Sequence, residues 1–232
     1  MNPDTLDQNL IHVQSKYYTV CEFNTLFNSS THRENSSIHP VHVPIDNPFD
    51  FNPFKNFSLL HMNARSLNKN FESIELFLSL LKNFPFSAIG VTETWLHHNS
   101  PPLFSISNYK MFRSDRKHGR GGGVALYIND KLRVKERNDI HIEGCEDLFI
   151  EILNEKCKNI IIGVIYKPPN NPVDFFLDKL DECLDFITRE NKQVYLMGDY
   201  NIDMNNSDTH TLKLFNTLVF FQFKTMFLSP NI

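Results

Sequence analysis

From residue 57 onward, short apolar runs alternate with segments of helical period, and that alternation restricts the chain to an α/β architecture. Residues 57–62 (FSLLHM), 87–91 (SAIGV), 109–113, 124–128, 148–153, 160–166 and 194–197 (VYLM) are rich in Val, Ile, Leu and aromatic side chains and predict strands. Between the first two, Phe71, Ile74, Leu78 and Leu81 recur at helical spacing over 67–81, with Asn68 as the candidate cap. A second helix is predicted over 172–188, opening after a proline and turning Phe175, Phe176, Leu180, Leu184 and Ile187 inward. A third covers 212–220, and the last residues resemble a strand entering a proline turn. The expected class is a layered α/β arrangement.

Residues 1–56 do not share this pattern. They hold five prolines (Pro3, Pro40, Pro44, Pro48, Pro53) and no glycine, and they lack both the 3.6 and the 2.0 period. The expectation is a disordered or weakly ordered arm, unable to bury enough apolar surface to offset its ordering entropy. The arm carries three of the 23 basic residues and six of the 27 acidic ones, so the domain beyond it is nearly charge-balanced. Bulk positive charge is therefore not a source of affinity for an anion, and any such binding depends on local placement. No apolar run approaches the roughly 18 residues that span a bilayer, and the polar, acidic start MNPDTLDQNL is no secretory signal. Cys21, Cys145, Cys157 and Cys183 form no CxxC pair and read as reduced thiols of an intracellular protein.

The apolar runs stop at polar residues. Asn63 follows FSLLHM, Glu93 follows AIGV, Tyr166 ends NIIIGVIY, and Asp199 and Asn201 follow VYLM. A rigid sheet points the loops at its strand ends toward one crevice, where ligands commonly bind. Two carboxylates brought together there repel unless a cation or shared proton compensates. Oxygen ligands without a Cys or His cluster favour a hard ion such as Mg²⁺, and such an ion suits cleavage of a phosphate ester. Singly, each residue has a plainer reading: Gly198–Asn201 as a turn, Glu93 as a solvated acid, Asn63 as a cap, Tyr166 as a core aromatic.

In order, HMNARSL, VTETWL, the glycine-rich turn Gly119–Gly123, YKPP at 166–169 and GDYN at 198–201 resemble the endonuclease/exonuclease/phosphatase superfamily. The nearest branch is the apurinic-endonuclease-like domain of non-LTR retrotransposons, and the resemblance covers roughly residues 57–232. It implies a layered α/β sandwich and a Mg²⁺ (or Mn²⁺) cofactor. Glu93 would be the principal metal ligand, and Asn63 would help hold that carboxylate and its hydration. Tyr166 would orient the scissile phosphate, Asp199 would position or deprotonate the attacking water, and Asn201 would hydrogen-bond phosphate or nucleophile. The implied reaction nicks a DNA phosphodiester and leaves a 3′-hydroxyl, which in retroelements primes reverse transcription. DNA is the implied partner, with a downstream reverse transcriptase domain beside it, no membrane, and a nuclear location if the protein is functional. Trp95 is taken as structural, since a lone Trp usually packs.

The sequence also departs from the family. A later P-T-R turn, an internal metal-site Asp and a terminal S-D-H element have no counterpart before Ile232, and His210 lies too soon after Asp199 to replace that His. The resemblance thus implies a domain incomplete at its C-terminus, missing its last strands. Three readings stay open: a metal-dependent endonuclease domain, a catalytically impaired retroelement remnant, and a phosphatase or phosphodiesterase of the same superfamily. The segment Arg113–Gly123 (RSDRKHGRGGG) lacks the G-K-[ST] of a phosphate-binding loop. It reads either as a hairpin tip with solvated charges or as a mobile basic loop in which Arg116, Lys117 and Arg120 contact the DNA backbone.

Overall fold

The predicted strands sort into two sheets. The computed structural model describes residues 16–20 (backbone alone), 57–81, 86–101, 103–117, 119–155, 157–203 and 208–221. The first sheet has the order β1 (Lys16–Val20), β2 (Ser58–Asn63), β3 (Ala88–Thr92), β5 (Val124–Asn129), β4 (Tyr109–Ser114). Its first three strands are parallel, and β5 is antiparallel to both β3 and β4. The second sheet has the order β6 (Val134–Glu136), β7 (Glu146–Ile152), β8 (Ile160–Tyr166), β9 (Gln193–Asp199), with only β8 and β9 parallel. The helices are α1 (Leu67–Leu80), α2 (Val173–Thr188) and α3 (Thr209–Phe220).

The apolar residues explain the layering. Phe57, Leu59, Leu126 and Ile128 from the first sheet meet Ile150, Ile162, Val164 and Met197 from the second in one buried cluster. The outer face of the first sheet packs Leu60, Met62, Ile89 and Val91 under Leu67 and Ile74 of α1. The outer face of the second packs Phe149, Ile161 and Ile165 under Phe176, Leu180, Leu184 and Leu214 of α2 and α3. Strands covered on both faces read as unbroken apolar runs, and β3, β5 and β8 are buried at every position. The result is a four-layer α/β/β/α sandwich, as the sequence predicts.

Several local readings change. Within the segment read as a weakly ordered arm, Lys16–Val20 is a strand paired with β2. Its KYYTV composition favours the extended state, but a parallel pairing so far along the chain leaves no local signal. The rest of that arm and the strand expected after residue 221 lie outside the described residues. Ser66, not Asn68, is the N-cap of α1, and Asn68 sits inside the first turn. Phe175 is exposed, and Leu177 and Cys183 take the inward positions of α2 beside Phe176, Leu180, Leu184 and Ile187. Strand β6 was not anticipated, being three residues with two charges.

The topology places the site. β2 and β3 run parallel and pair Asn63 with Thr92 at their ends, while β8 and β9 run parallel and pair Tyr166 with Asp199. The two pairs lie against each other across the sandwich, so four strand ends open onto one edge. Gly198 makes the second pair close enough: a Cβ there would lie 2.0 Å from the carbonyl oxygen of Ile165, so any side chain would force β9 away from β8.

Candidate active site

The backbone beyond β3 is clamped on both sides. Ser66 and Leu67 donate to the carbonyls of Glu93 and Thr94, each at 2.9 Å, while Thr94 and Trp95 donate to Gly123 (3.2 Å) and Gly122 (2.9 Å). Within this clamp Arg65, Ser66, Glu93 and Trp95 all have positive φ, at 42°, 93°, 53° and 55°. Such conformations cost on the order of 1–3 kcal/mol each in non-glycine residues and persist where surrounding contacts over-determine them. Gly123, at φ 78°, shows how tight the clamp is: a Cβ there would lie 2.6 Å from the hydroxyl oxygen of buried Thr94.

The side chains converge on Asn63. Its amide nitrogen donates to Glu93 Oε1 at 3.0 Å and to Asp199 Oδ2 at 2.9 Å, joining residues 136 positions apart. The amide is itself oriented, because the Arg65 N–H donates to Asn63 Oδ1 at 3.0 Å. The other oxygen of Asp199 accepts the Asn201 N–H at 3.1 Å, and the other oxygen of Glu93 accepts the Trp95 indole N–H at 3.2 Å. Each carboxylate therefore has a donor on both oxygens, and all these donors are neutral.

Tyr166 and Asn201 border the same group. Burial pushes the Tyr166 phenol up and the negative charges of Glu93 and Asp199 push it further, while the Arg116 cation and a hydrogen bond from Asn201 oppose the rise. Asn201, again with positive φ (47°), donates through its side chain to the Lys167 carbonyl at 2.7 Å, while the Lys167 N–H donates to the Asp199 carbonyl at 2.9 Å. The Lys167 side chain is buried, its ammonium donating to the Pro168 carbonyl at 3.2 Å, and burial lowers its pKa.

The basic loop between β4 and β5 folds back onto the site. Arg116 donates to both oxygens of Glu146, at 2.7 and 3.1 Å, and its guanidinium lies 5.6 Å from the centre of the Tyr166 ring. This bidentate pair raises the Arg116 pKa and commits its planar fork inside the protein. Arg116 also donates to the Arg120 carbonyl at 3.0 Å, and the Arg120 guanidinium stacks 5.2 Å from the centre of Trp95. Lys117 is exposed.

Asn63, Glu93, Tyr166, Asp199 and Asn201 thus lie together, as their strand-end positions predict. Arg116, Lys117 and Arg120 stand at the same edge, but with Arg116 occupied by Glu146. Two participants were missed. Trp95 was read as packing, although an E-x-W spacing in which both residues have positive φ brings the indole to the carboxylate. Glu146 faces Tyr166 across β7 and β8, a pairing no local pattern reveals.

The donor set fits a hard divalent cation. The gathered side-chain ligands are oxygens, two carboxylates among them, each held by neutral donors. That suits an ion such as Mg²⁺, which takes one or two carboxylates and retains several waters. Among the described residues no helix is long and apolar enough to cross a membrane.

Residues 60–223 match the family described as Endonuclease/Exonuclease/phosphatase family. No match emerges among curated protein sequences. Among solved structures, the endonuclease domain of TRAS1, a telomere-specific non-LTR retrotransposon, superimposes with a TM-score of 0.51 at 15% identity, covering 70% of this chain and 69% of that one. The 3′ phosphatase NExo from Neisseria, bound to a product DNA hairpin, gives a TM-score of 0.48 at 18% identity over 70% of each chain. The Xenopus laevis APE2 catalytic domain gives 0.48 at 15%, over 69% of this chain and 67% of that one. At these identities the likeness is one of fold.

Proposed function

Because the chain belongs to the endonuclease/exonuclease/phosphatase family, we propose that it is a metal-dependent phosphodiesterase that nicks DNA and leaves a 3′-hydroxyl. One observation carries the reading: a single amide, that of Asn63, joins Glu93 to Asp199 at the edge where Tyr166 ends β8 and Asn201 follows β9. Bound Mg²⁺ or Mn²⁺ would polarise a phosphoryl oxygen and offset charge on the leaving oxygen. Glu93, with Asn63 beside it, holds that ion. Asp199, its orientation fixed by Asn63 and by the Asn201 N–H, accepts a proton from the attacking water. Tyr166 presents its hydroxyl to the phosphate, steadied by Arg116 across its ring. Asn201 uses its side chain to tie down the Lys167 carbonyl and to hold the Tyr166 hydroxyl, which fixes that hydroxyl for the phosphate.

Likeness in fold to a non-LTR retrotransposon endonuclease domain supports a retroelement role, in which the 3′-hydroxyl primes reverse transcription by an associated reverse transcriptase domain. The test is nicking of supercoiled plasmid by the purified chain with Mg²⁺ or Mn²⁺. Nicked product that a DNA polymerase extends, made by the parent protein and absent with Glu93→Gln or Asp199→Asn, is the expected result. Activity only on a small phosphate ester would move the assignment to a phosphatase, and activity that survives both substitutions would remove these residues from the chemistry.

A further inference from the structure

We propose that Trp95 is a positioning residue of the metal site, acting through Glu93, and that Arg120 in turn positions Trp95. The inference rests on Glu93 being a metal ligand. The terminal torsion of a glutamate is broad, so one donor leaves the carboxylate plane loosely set. Here Asn63 takes Oε1 at 3.0 Å and the Trp95 indole N–H takes Oε2 at 3.2 Å, which fixes the plane. The indole adds partial positive charge beside the carboxylate without neutralising it.

Trp95 is held on two sides. Its backbone N–H donates to Gly122 at 2.9 Å, and the Arg120 guanidinium lies 5.2 Å from the ring centre. The loop carrying Arg120 is fastened in turn, since Arg116 donates to the Arg120 carbonyl at 3.0 Å and to Glu146 in the second sheet at 2.7 Å. A continuous set of contacts thus runs from β7 through the glycine-rich loop to the metal-binding carboxylate. This gives the loop a task besides touching DNA: it keeps the indole against Glu93.

The test uses the full chain and Mn²⁺, with free ion measured by electron paramagnetic resonance. Trp95→Phe keeps the ring and loses the N–H; it should weaken Mn²⁺ binding by about 10-fold, the lower end of the usual effect of removing an outer-shell donor. Arg120→Ala should weaken it by about two- to fivefold, in line with an exposed cation–π contact. Thermal unfolding monitors the fold of each variant. A parent protein that takes up no Mn²⁺, or Glu93→Gln binding as well as the parent, defeats the metal reading itself. Binding that depends on Glu93 but is unchanged in a folded Trp95→Phe overturns the role of Trp95 alone. If Trp95→Phe does not fold, the parent decides, because Trp95 is its single tryptophan. Its emission should shift as calorimetry shows Mg²⁺ filling the site, and emission unchanged at saturation overturns the proposal.

Discussion

Carboxylates gather at both ends of the four-stranded sheet, and they are held in opposite ways. At the end away from the site, Arg137 is 6% exposed and pairs with Asp139 at 2.7 Å, with Glu151 at 3.0 Å and with Glu190. Lys192 pairs with Glu151 and Glu190, both at 2.6 Å. There three acids face two cations, and the hydrogen bonds from Arg137 hold Asp139 down to about 2. At the site end, Glu93 and Asp199 meet an amide, an indole and a backbone N–H. The compensated cluster has most of its charge offset within the fold and serves architecture. The uncompensated pair takes its hydrogen bonds from neutral donors, as a pair placed for an arriving cation would.

The largest expected effect is at the uncompensated end. Asp199→Asn keeps the size, removes the proton acceptor and gives up one of its two accepted hydrogen bonds, so Mg²⁺-dependent nicking should fall by about 10²–10⁴-fold with only a modest drop in melting temperature. A melting temperature that collapses while the folded remainder still nicks would make Asp199 architectural, like the distal acids. Next in size, Arg137→Ala removes a shared partner of Asp139, Glu151 and Glu190 while Lys192 and Asn159 stay on Glu151, and should cost about 1.5–3 kcal/mol in denaturant unfolding. Mn²⁺ affinity of the folded fraction should not move, and any parallel loss would merge the two regions into one network.

The pH axis should separate the distal cluster from the interior between the sheets. His61, buried between the sheets with Thr92 Oγ1 at 3.3 Å from its ring, is held down to about 4 by desolvation. The unfolded chain takes up a proton near 6.5 and the folded one only near 4, so the unfolded state binds more protons in between. Stability present above pH 6.5 is lost as pH falls to about 4, by on the order of 3 kcal/mol. Asp139, ordinarily near 3.8, keeps its contribution above that value and loses it toward pH 2. Urea unfolding from pH 7 to 3 should show the first fall before the second, and His61→Leu should flatten only the first. The smallest effect concerns the loop. With Arg116 bound to Glu146, only Lys117 and Arg120 are left for phosphates, so replacing both with Ala should flatten the salt dependence of duplex affinity by about 2 units of slope. A loss of about 2.7 on also replacing Arg116 would mean that its pair with Glu146 opens for DNA.

The strands and their polar ends were legible because buried runs flanked by polar residues are a local signal, and because parallel strands bring their C-terminal ends to one edge. Asn63, Glu93, Tyr166 and Asp199 could be picked out on that ground. What escaped was side-chain pairing at a distance. The Arg116–Glu146 bond spans 30 positions, and from sequence Arg116 looks as free as Lys117. Trp95 escaped for another reason: packing is the usual fate of an indole ring, and only the left-handed backbone at Glu93 and Trp95 reveals where the N–H goes. The loop is therefore less a mobile DNA contact than a brace, with Arg116 on Glu146, Arg120 over Trp95 and Lys117 exposed.

The Asn63 bridge also fixes when the site can exist. Its two ends are separated by 136 residues, and at roughly 5–20 residues per second a ribosome delivers Asp199 roughly 7–27 s after Asn63. Until β9 has docked beside β8, Glu93 has its amide partner and no second carboxylate. A nascent chain is thus born without the paired acids, and the constellation appears in one late event rather than growing by degrees.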